Sequence, residues 1–295
     1  MTTIYKKWLY LLLLSLIWGS SYILIKKGLV GLTPLQVGSL RILFTLSILT
    51  VAGFKHLKQI PKVKWGWLAV SGFLGTFFPN YLFAFAETKI DSAIAAVLNG
   101  LTPLFTLLFG FFWFRIALKR KKLMGVFVGL IGTFILVIKQ IQNTGFENSL
   151  YLLLVVISAI CYAANVNIIK YRLQGVSSLG IALSNFIAIA PPALIIAFNS
   201  GVFHLDIQSE EVIESIGYII ILAFFGTALA KVIFNELVVI SSPVFSSSIT
   251  YLLPIVAIFW GVLDGEKLGW LQLLACIIIL GGVYLVTDRK NTTKK

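Results

Sequence analysis

The chain has 295 residues, of which 59% are hydrophobic and only 12% are charged. Its mean hydropathy is +0.97. Soluble proteins carry about twice this share of charged residues, so the composition excludes a soluble domain and indicates an integral membrane protein. The net charge is +13. A basic cytoplasmic surface beside anionic lipid headgroups accounts for this charge, so we expect no nucleic-acid partner.

Ten apolar stretches are long enough to cross the hydrocarbon core of a bilayer, which needs about 20 residues of helix. Backbone groups cannot stay unpaired in lipid and these runs are too long for barrel strands, so we expect an all-α protein. The predicted spans are residues 8–26, 34–54, 65–86, 92–114, 123–139, 150–169, 178–198, 215–237, 243–262 and 268–287. The first is too long for a signal-peptide core, and we expect it to be retained.

The two halves of the chain repeat one another. Gly75-Thr76, Pro103 and Gly110 recur as Gly226-Thr227, Pro254 and Gly261, with the same spacings of 28 and 7 residues. The duplication predicts two domains, residues 1–145 and 146–295, of five spans each. An odd number of spans turns the second copy upside down, so we predict two inverted five-helix repeats around a central cavity, an architecture typical of transporters.

Lysine and arginine residues predict the orientation. With both termini in the cytoplasm, 17 of the 24 cations lie on inner connections and five on outer ones. The connection at residues 55–64 has four lysines, whereas its counterpart in the second half has Asp206, Glu210 and Glu211. Equivalent loops have thus exchanged charge, as expected for two copies on opposite sides of the membrane.

Polar and aromatic side chains within the spans are the candidates for a substrate cavity. They are Trp18, Tyr22, Asn80, Asn99, Asn165, Tyr251 and Lys231. Trp18 and Tyr22 combine a wide apolar ring with one polar tip, which suits a small organic substrate. Spans 1 and 6 run in opposite directions, so their polar patches would form two gates or the two ends of one cavity. The alternative is that these side chains only bond neighbouring helices.

Two prolines and two cations stand within the apolar spans. Pro103 and Pro254 are predicted to kink spans 4 and 9 near the bilayer centre, as hinges or cavity elements, or else only to shape helix packing. Arg41 and Lys231 are costly in a membrane and are expected to face the interior or water. Each would contact a substrate anion or a coupling proton, or would be structural and bonded to carbonyls.

The sequence predicts no metal site and no cofactor. Cys161 and Cys276 lie inside apolar segments, His56 and His204 stand alone in loops, and no nucleotide-binding phosphate loop is present. The acidic residues nearest the spans are placed at span ends, so no buried carboxylate is expected. Gly125-x-x-x-Gly129 and Gly281-Gly282 are typical of close helix contacts, either within the monomer or in a homodimer.

Several of these motifs resemble the EamA family of the drug/metabolite transporter superfamily. They are Trp18-Gly19-Ser20-Ser21 with Lys26, Arg41 in the second span, Leu101-Thr102-Pro103-Leu104 repeated as Leu252-Leu253-Pro254-Ile255, and Gly265-Glu266 followed by Gly281-Gly282-Val283. The resemblance covers nearly the whole chain and implies ten helices around a substrate cavity, usually for export of amino acids, aromatic metabolites or drugs. The first half departs from the family pattern with Arg115-Ile116 in place of Gly-Glu, and Lys231 lies outside the pattern.

The leading hypothesis is a secondary transporter, not an enzyme, in the bacterial inner membrane. It would export a small organic metabolite by alternating access, with no nucleic-acid partner and with its coupling ion, such as a proton, left open. The alternatives are an uptake permease of the same fold, a membrane-embedded lipid-modifying enzyme and a non-transporting assembly subunit.

Overall fold

A computed structural model describes residues 3–115, 150–265 and 269–287, with isolated residues and short runs between 120 and 138. Every regular element in this described part is a helix. We number the helices α1 Thr3–Gly28, α2 Pro34–Leu57, α3 Lys62–Ala86, α4 Ser92–Asn99, α5 Thr102–Phe114, α6 Tyr151–Arg172, α7 Ser178–Asn199, α8 Glu210–Ile240, α9 Pro243–Ser247, α10 Leu253–Leu263 and α11 Trp270–Thr287.

Eight stretches of the described chain are helices long and apolar enough to cross a membrane. They are α1, α2, α3, α4 with α5, α6, α7, α8, and α9 with α10, and they confirm eight of the predicted spans. The predicted span 123–139 falls largely outside the described residues. The last predicted span, 268–287, corresponds to α11, an apolar helix of 18 residues. Helix α8 is longer than predicted at both ends.

Local sequence explains where several helices begin. Thr33 caps α2: its Oγ1 accepts from the backbone N of Gln36 at 3.4 Å, and the Gln36 side chain accepts from the Thr33 N at 2.9 Å. Pro34 follows at the first helical position, where its missing N–H costs nothing. Ser177 caps α7 in the same way, by accepting from the Gly180 N at 3.1 Å. These caps fix the start of each long apolar run.

The distribution of side chains is the reverse of that in a soluble bundle. Ser39 and Ser71 are fully buried, whereas Phe112 and Val51 are 75% and 91% exposed. In lipid an apolar surface is favourable, and buried polar side chains hold helices together by hydrogen bonds. The pattern therefore supports placing this helical surface in a bilayer.

The two halves of the chain share one core. Helix α1 packs against α8 and α10, α2 against α7 and α8, and α3 against α6 and α7. Each of these contacts joins a helix from the first half to one from the second. A cavity between these helices is therefore bounded by both halves.

Ion pairs anchor the two ends of α1 to the second half. Lys6 lies 3.1 Å from Glu236 near the end of α8, and Glu236 also accepts from Ser178 Oγ at 2.8 Å. At the other end of α1, Lys26 lies 3.0 Å from Asp264, which also pairs with Lys27. Glu236 and Asp264 thus lie at opposite ends of the same bundle.

The glycine motifs form a close contact within one chain. A Cβ added to Gly282 would lie 2.7 Å from the carbonyl oxygen of Gly125 and 2.9 Å from the Cα of Gly129. Only glycine allows two backbones to approach this closely. Of the two alternatives for these glycines, the intramolecular one is therefore present.

The cysteines are only partly described. Cys161 has a free thiol and is half-buried. The side chain of Cys276 lies outside the described part of the structure. No group of three His, Cys, Asp or Glu side chains that could hold a metal ion is present among the described residues.

Candidate functional site

A cavity of about 80 Å³ lies between the two halves of the chain. Its wall includes six of the side chains predicted from sequence: Trp18, Tyr22, Arg41, Asn99, Asn165 and Lys231. Trp18 and Tyr22 come from α1 and Asn165 from α6, so the polar patches of the two matched spans meet in one cavity. This volume holds only a few water molecules, whereas sites for organic ligands usually exceed about 300 Å³.

The repeated Gly-Thr motifs fold into two π-helical segments beside this cavity. Gly75-Thr76 lies within Phe73–Phe77 of α3, and Gly226-Thr227 lies within Leu222–Leu229 of α8. A π-helical turn bonds residue i to i+5 and leaves carbonyl groups for other donors, and such turns are frequent at functional sites. The duplicated sequence thus produces the same irregularity twice.

A side chain of the opposite half donates a hydrogen bond to the backbone oxygen of each π-helical glycine. Trp18 Nε1 donates to the carbonyl oxygen of Gly226 at 2.9 Å. Lys231 Nζ donates to the carbonyl oxygen of Gly75. Side chains pack closely against both glycines: a Cβ on Gly226 would lie 2.6 Å from Ser21 Oγ, and one on Gly75 would overlap the Asn165 side chain.

The two intramembrane cations reach the cavity from different helices. Arg41 on α2 is half-buried; its Nε donates to Thr227 Oγ1 at 2.8 Å and its Nη1 to Asn80 Oδ1 at 3.3 Å. Lys231 on α8 is only 9% exposed, and its Nζ lies 5.8 Å from the ring centroid of Tyr162. Every partner of these cations is electrically neutral, and neither cation forms an ion pair with a described residue.

Aromatic rings form the apolar part of the wall. The Trp18 and Phe234 ring centroids lie 5.0 Å apart. Phe83 contacts Tyr22 edge to face at 5.7 Å and stacks on Tyr162 at 6.2 Å. Such contacts hold the rings in fixed orientations beside the polar groups.

A break between α4 and α5 brings Asn99 to the cavity. The Asn99 Nδ2 donates to Tyr22 OH at 2.9 Å, and Thr102 Oγ1 donates to the Asn99 backbone oxygen at 2.7 Å. Pro103 lies in the first turn of α5, and Pro254 holds the same position in α10, after the 3₁₀ turn Ser248–Tyr251. Both predicted kinks are thus interruptions of the helix, with each proline starting the second piece.

Two predicted cavity residues lie off the cavity wall. Asn80 stands behind Arg41, where its Nδ2 donates to the Gly38 oxygen at 2.7 Å. Tyr251 is half-buried in the 3₁₀ turn before α10. Neither Pro103 nor Pro254 borders the cavity. Asn80 therefore supports a cavity residue instead of facing the cavity.

Sequence reasoning missed part of the wall. The missed lining residues include Tyr162, Ser246, Ser247 and Thr250. Three of these four belong to the polar run Ser246-Ser247-Ser248-Ile249-Thr250, which was a usable signal in the sequence. Gly226 also borders the cavity, and its membership of the duplicated motif was a usable signal.

The expectation of no buried carboxylate was wrong for Glu87. This residue stands at the end of α3, as predicted, but it is only 7% exposed and accepts from Ser92 Oγ at 3.4 Å. The chain folds back from α3 into α4 at this point, and the turn covers the carboxylate. Glu87 does not border the cavity.

The fold and the site define a class: a helical membrane protein whose two halves enclose a polar and aromatic cavity. The model of the EamA-like transporter family matches residues 6–138 and again residues 149–288, and the chain belongs to this family. The resemblance seen in the sequence is confirmed. The chain is therefore a membrane transporter and not an enzyme.

Named relatives agree with this family, and a solved structure shares the fold. The uncharacterized inner membrane transporter YedA of Escherichia coli strain K12 is 28% identical over 283 residues, covering 93% of this chain and 88% of that protein. A probable amino-acid metabolite efflux pump of Salmonella typhimurium strain LT2 is 27% identical over 285 residues, covering 93% and 92%. One crystal structure shares the fold, with a TM-score of 0.67, 16% identity and coverage of 97% of this chain and 96% of that one.

Proposed function

We propose that this transporter exports a small organic metabolite across the bacterial inner membrane by alternating access of two inverted five-helix repeats, residues 1–145 and 146–295. The observation that carries the proposal is the cavity between the two halves, with Trp18, Tyr22 and Asn99 from one half and Asn165 and Lys231 from the other. A site at the interface of two repeats is exposed to either side when one repeat rocks against the other.

The repeated irregularities support this mechanism. The π-helical segments in α3 and α8 and the breaks before Pro103 and Pro254 occur at matched positions of the two halves. Discontinuous helices are typical of carriers, and they supply local points of bending. The cavity is too small for most organic ligands in this conformation, so binding requires it to widen.

Outward transport by this chain is part of the proposal. The Salmonella relative is named as an efflux pump, and the two chains align over nearly their whole lengths. Orientation with both termini in the cytoplasm follows from the charge of the connections.

The experiment is transport by the purified protein in proteoliposomes over a panel of radiolabelled metabolites, with empty liposomes as the blank. A cavity-filling variant, Ser247→Phe, should abolish transport, because Ser247 is 2% exposed and lines the cavity. The matched control is Ser47→Phe on the exposed face of α2, which should transport as well as the wild type. Equal transport by Ser247→Phe in folded protein would refute this cavity as the path.

A further inference from the structure

We propose that the transported metabolite is an organic anion that carries an apolar body. This inference rests on the proposed function and specifies the substrate class of the same cavity. It is argued from the charges on the wall, from the positions of the carboxylates and from the aromatic rings.

Among the described residues, the cavity wall has two cations and no carboxylate. Arg41 and Lys231 border it, and none of the lining residues is Asp or Glu. The partners of both cations are neutral oxygens of Thr227, Asn80 and Gly75. A charge within a membrane is costly without a counterion. A bound anion would supply that counterion.

The carboxylates closest to the bundle are engaged elsewhere. Glu236 pairs with Lys6 and accepts from Ser178 at one end of α1, and Asp264 pairs with Lys26 and its neighbour at the other end. Glu87 is buried beside Ser92 and is not a lining residue, but it lies near enough to act on Arg41 electrostatically. Neither Arg41 nor Lys231 forms a direct ion pair with these three carboxylates, so both cations can contact a substrate anion.

The remainder of the wall suits an apolar body. Trp18 with Phe234 forms one aromatic pair, and Phe83 with Tyr162 forms another. Rings in this arrangement favour stacking with a flat or compact apolar group. Serine and threonine hydroxyls such as Ser247 add hydrogen-bonding capacity without charge.

The same charges disfavour an ammonium group. A zwitterionic or cationic ligand would bring a positive charge to a wall with two cations and no acidic side chain, and like charges repel strongly in a medium of low dielectric constant. The geometry thus ranks an organic acid above its neutral analogue, and the neutral analogue above the amine.

Three probes with one phenyl ring test this ranking: 3-phenylpropanoate, 3-phenylpropan-1-ol and 2-phenylethylamine. We expect 3-phenylpropanoate to stabilise the purified full-length protein against heat with an affinity about tenfold or more above that of the alcohol, because charge-assisted hydrogen bonds are the stronger ones. The amine should cause no stabilisation. Equal binding of acid and alcohol, tighter binding of the amine, or no binding of any probe would overturn the inference.

Charge-removing variants separate recognition from folding. Arg41→Gln and Lys231→Gln should each weaken binding of 3-phenylpropanoate about tenfold and leave the affinity for 3-phenylpropan-1-ol within about twofold. Lys89→Gln, which changes an exposed lysine, is the matched control and should alter neither. An acid preference that survives in both cavity variants would contradict the role of the two cations.

Transport measurements distinguish this inference from the proposed function. If proteoliposomes carry the alcohol or the amine in preference to the acid, transport stands and the anion inference fails. A second outcome is that the acid binds with the expected charge dependence, but its transport rate in proteoliposomes equals that in empty liposomes. The anion site then stands, and the proposal that this protein transports the acid fails.

Discussion

The indole Nε1 of Trp18 donates a 2.9 Å hydrogen bond to the backbone oxygen of Gly226, across the boundary between the two halves. A second bond crosses the same boundary with the roles of the halves exchanged: Lys231 of the second half donates to the backbone oxygen of Gly75 in the first. Each π-helical segment is thus held by a side chain from the other half. Movement of one half against the other changes both contacts, so these two bonds link local backbone irregularity to the proposed transport cycle.

We expect Trp18→Phe to impair transport while the protein still folds. The substitution keeps an aromatic ring beside Phe234 but removes the donor to Gly226, and a lost buried hydrogen bond costs about 1–3 kcal/mol. The measurements are transport in proteoliposomes and the midpoint of thermal unfolding. Trp113→Phe, at a ring that is 71% exposed, should change neither. Wild-type transport by Trp18→Phe would show that the bond is dispensable for the cycle.

Much of the fold was predictable because apolar runs and internal repetition are properties of the chain itself. The π-helical segments were not predictable, although both contain a duplicated motif, Gly75-Thr76 or Gly226-Thr227. Both segments are contacted by donors from the other half, Trp18 and Lys231, which tertiary packing brings there. No local pattern contains that information.

The site was predictable to the extent that a polar residue in an apolar span must face the interior. That argument placed Tyr22, Asn99 and Asn165 among the candidates, and all three line the cavity. The same argument could not distinguish residues that line the cavity from residues that only support a lining residue. Asn80 occupies the sequence position that matches Lys231, but it supports Arg41 from behind.

Gly282→Ala should destabilise the protein, and Gly281→Ala should not. A methyl group at position 282 would meet the backbone of Gly125 and Gly129, which cannot move aside without separating two helices, whereas nothing lies within 4 Å of the position at 281. We expect a loss of about 1–3 kcal/mol for Gly282→Ala. The neighbouring change should be neutral or slightly stabilising, since alanine favours helix. Thermal unfolding in detergent measures both, and equal midpoints would contradict the close contact.

Asp264 makes a pH-dependent contribution to stability. A hydrogen bond from Lys27, together with Lys26, holds the pKa of this carboxylate below its ordinary value. The ion pairs therefore stabilise the folded state at neutral pH, and the stabilisation disappears as the pH falls from about 4 through the lowered pKa. The side chains are partly exposed to solvent, so we expect less than about 1 kcal/mol.

The comparison of wild type with Asp264→Asn measures this contribution. The thermal midpoints should differ at pH 7 and converge as the pH approaches 3. Asp206→Asn is the control, because asparagine can still accept the hydrogen bond that Gln208 N donates to Asp206 Oδ1 at 3.0 Å. A difference for Asp264→Asn that grows toward low pH would give the opposite sign and refute the assignment.

The inverted topology predicts that Lys58 and Asp206 lie on opposite sides of the membrane. Lys58 follows α2 and Asp206 precedes α8, both are exposed, and the connections that contain them hold equivalent places in the two proposed repeats. We expect a membrane-impermeant maleimide added to intact cells to label an Asp206→Cys variant and to leave Lys58→Cys unlabelled until the cells are permeabilised. Both variants are made in a background with Cys161→Ala and Cys276→Ala, so that each carries a single thiol.

The outcomes of this labelling separate topology from orientation. If Lys58→Cys is labelled from outside and Asp206→Cys only after permeabilisation, the repeats are still inverted but both termini are extracellular, and the argument from lysine and arginine placement is wrong. If both positions react from the same side, the halves are parallel. A rocking motion between inverted repeats would then be excluded. Such a motion requires the two halves to be related by an axis in the membrane plane, which exchanges the two sides of the membrane.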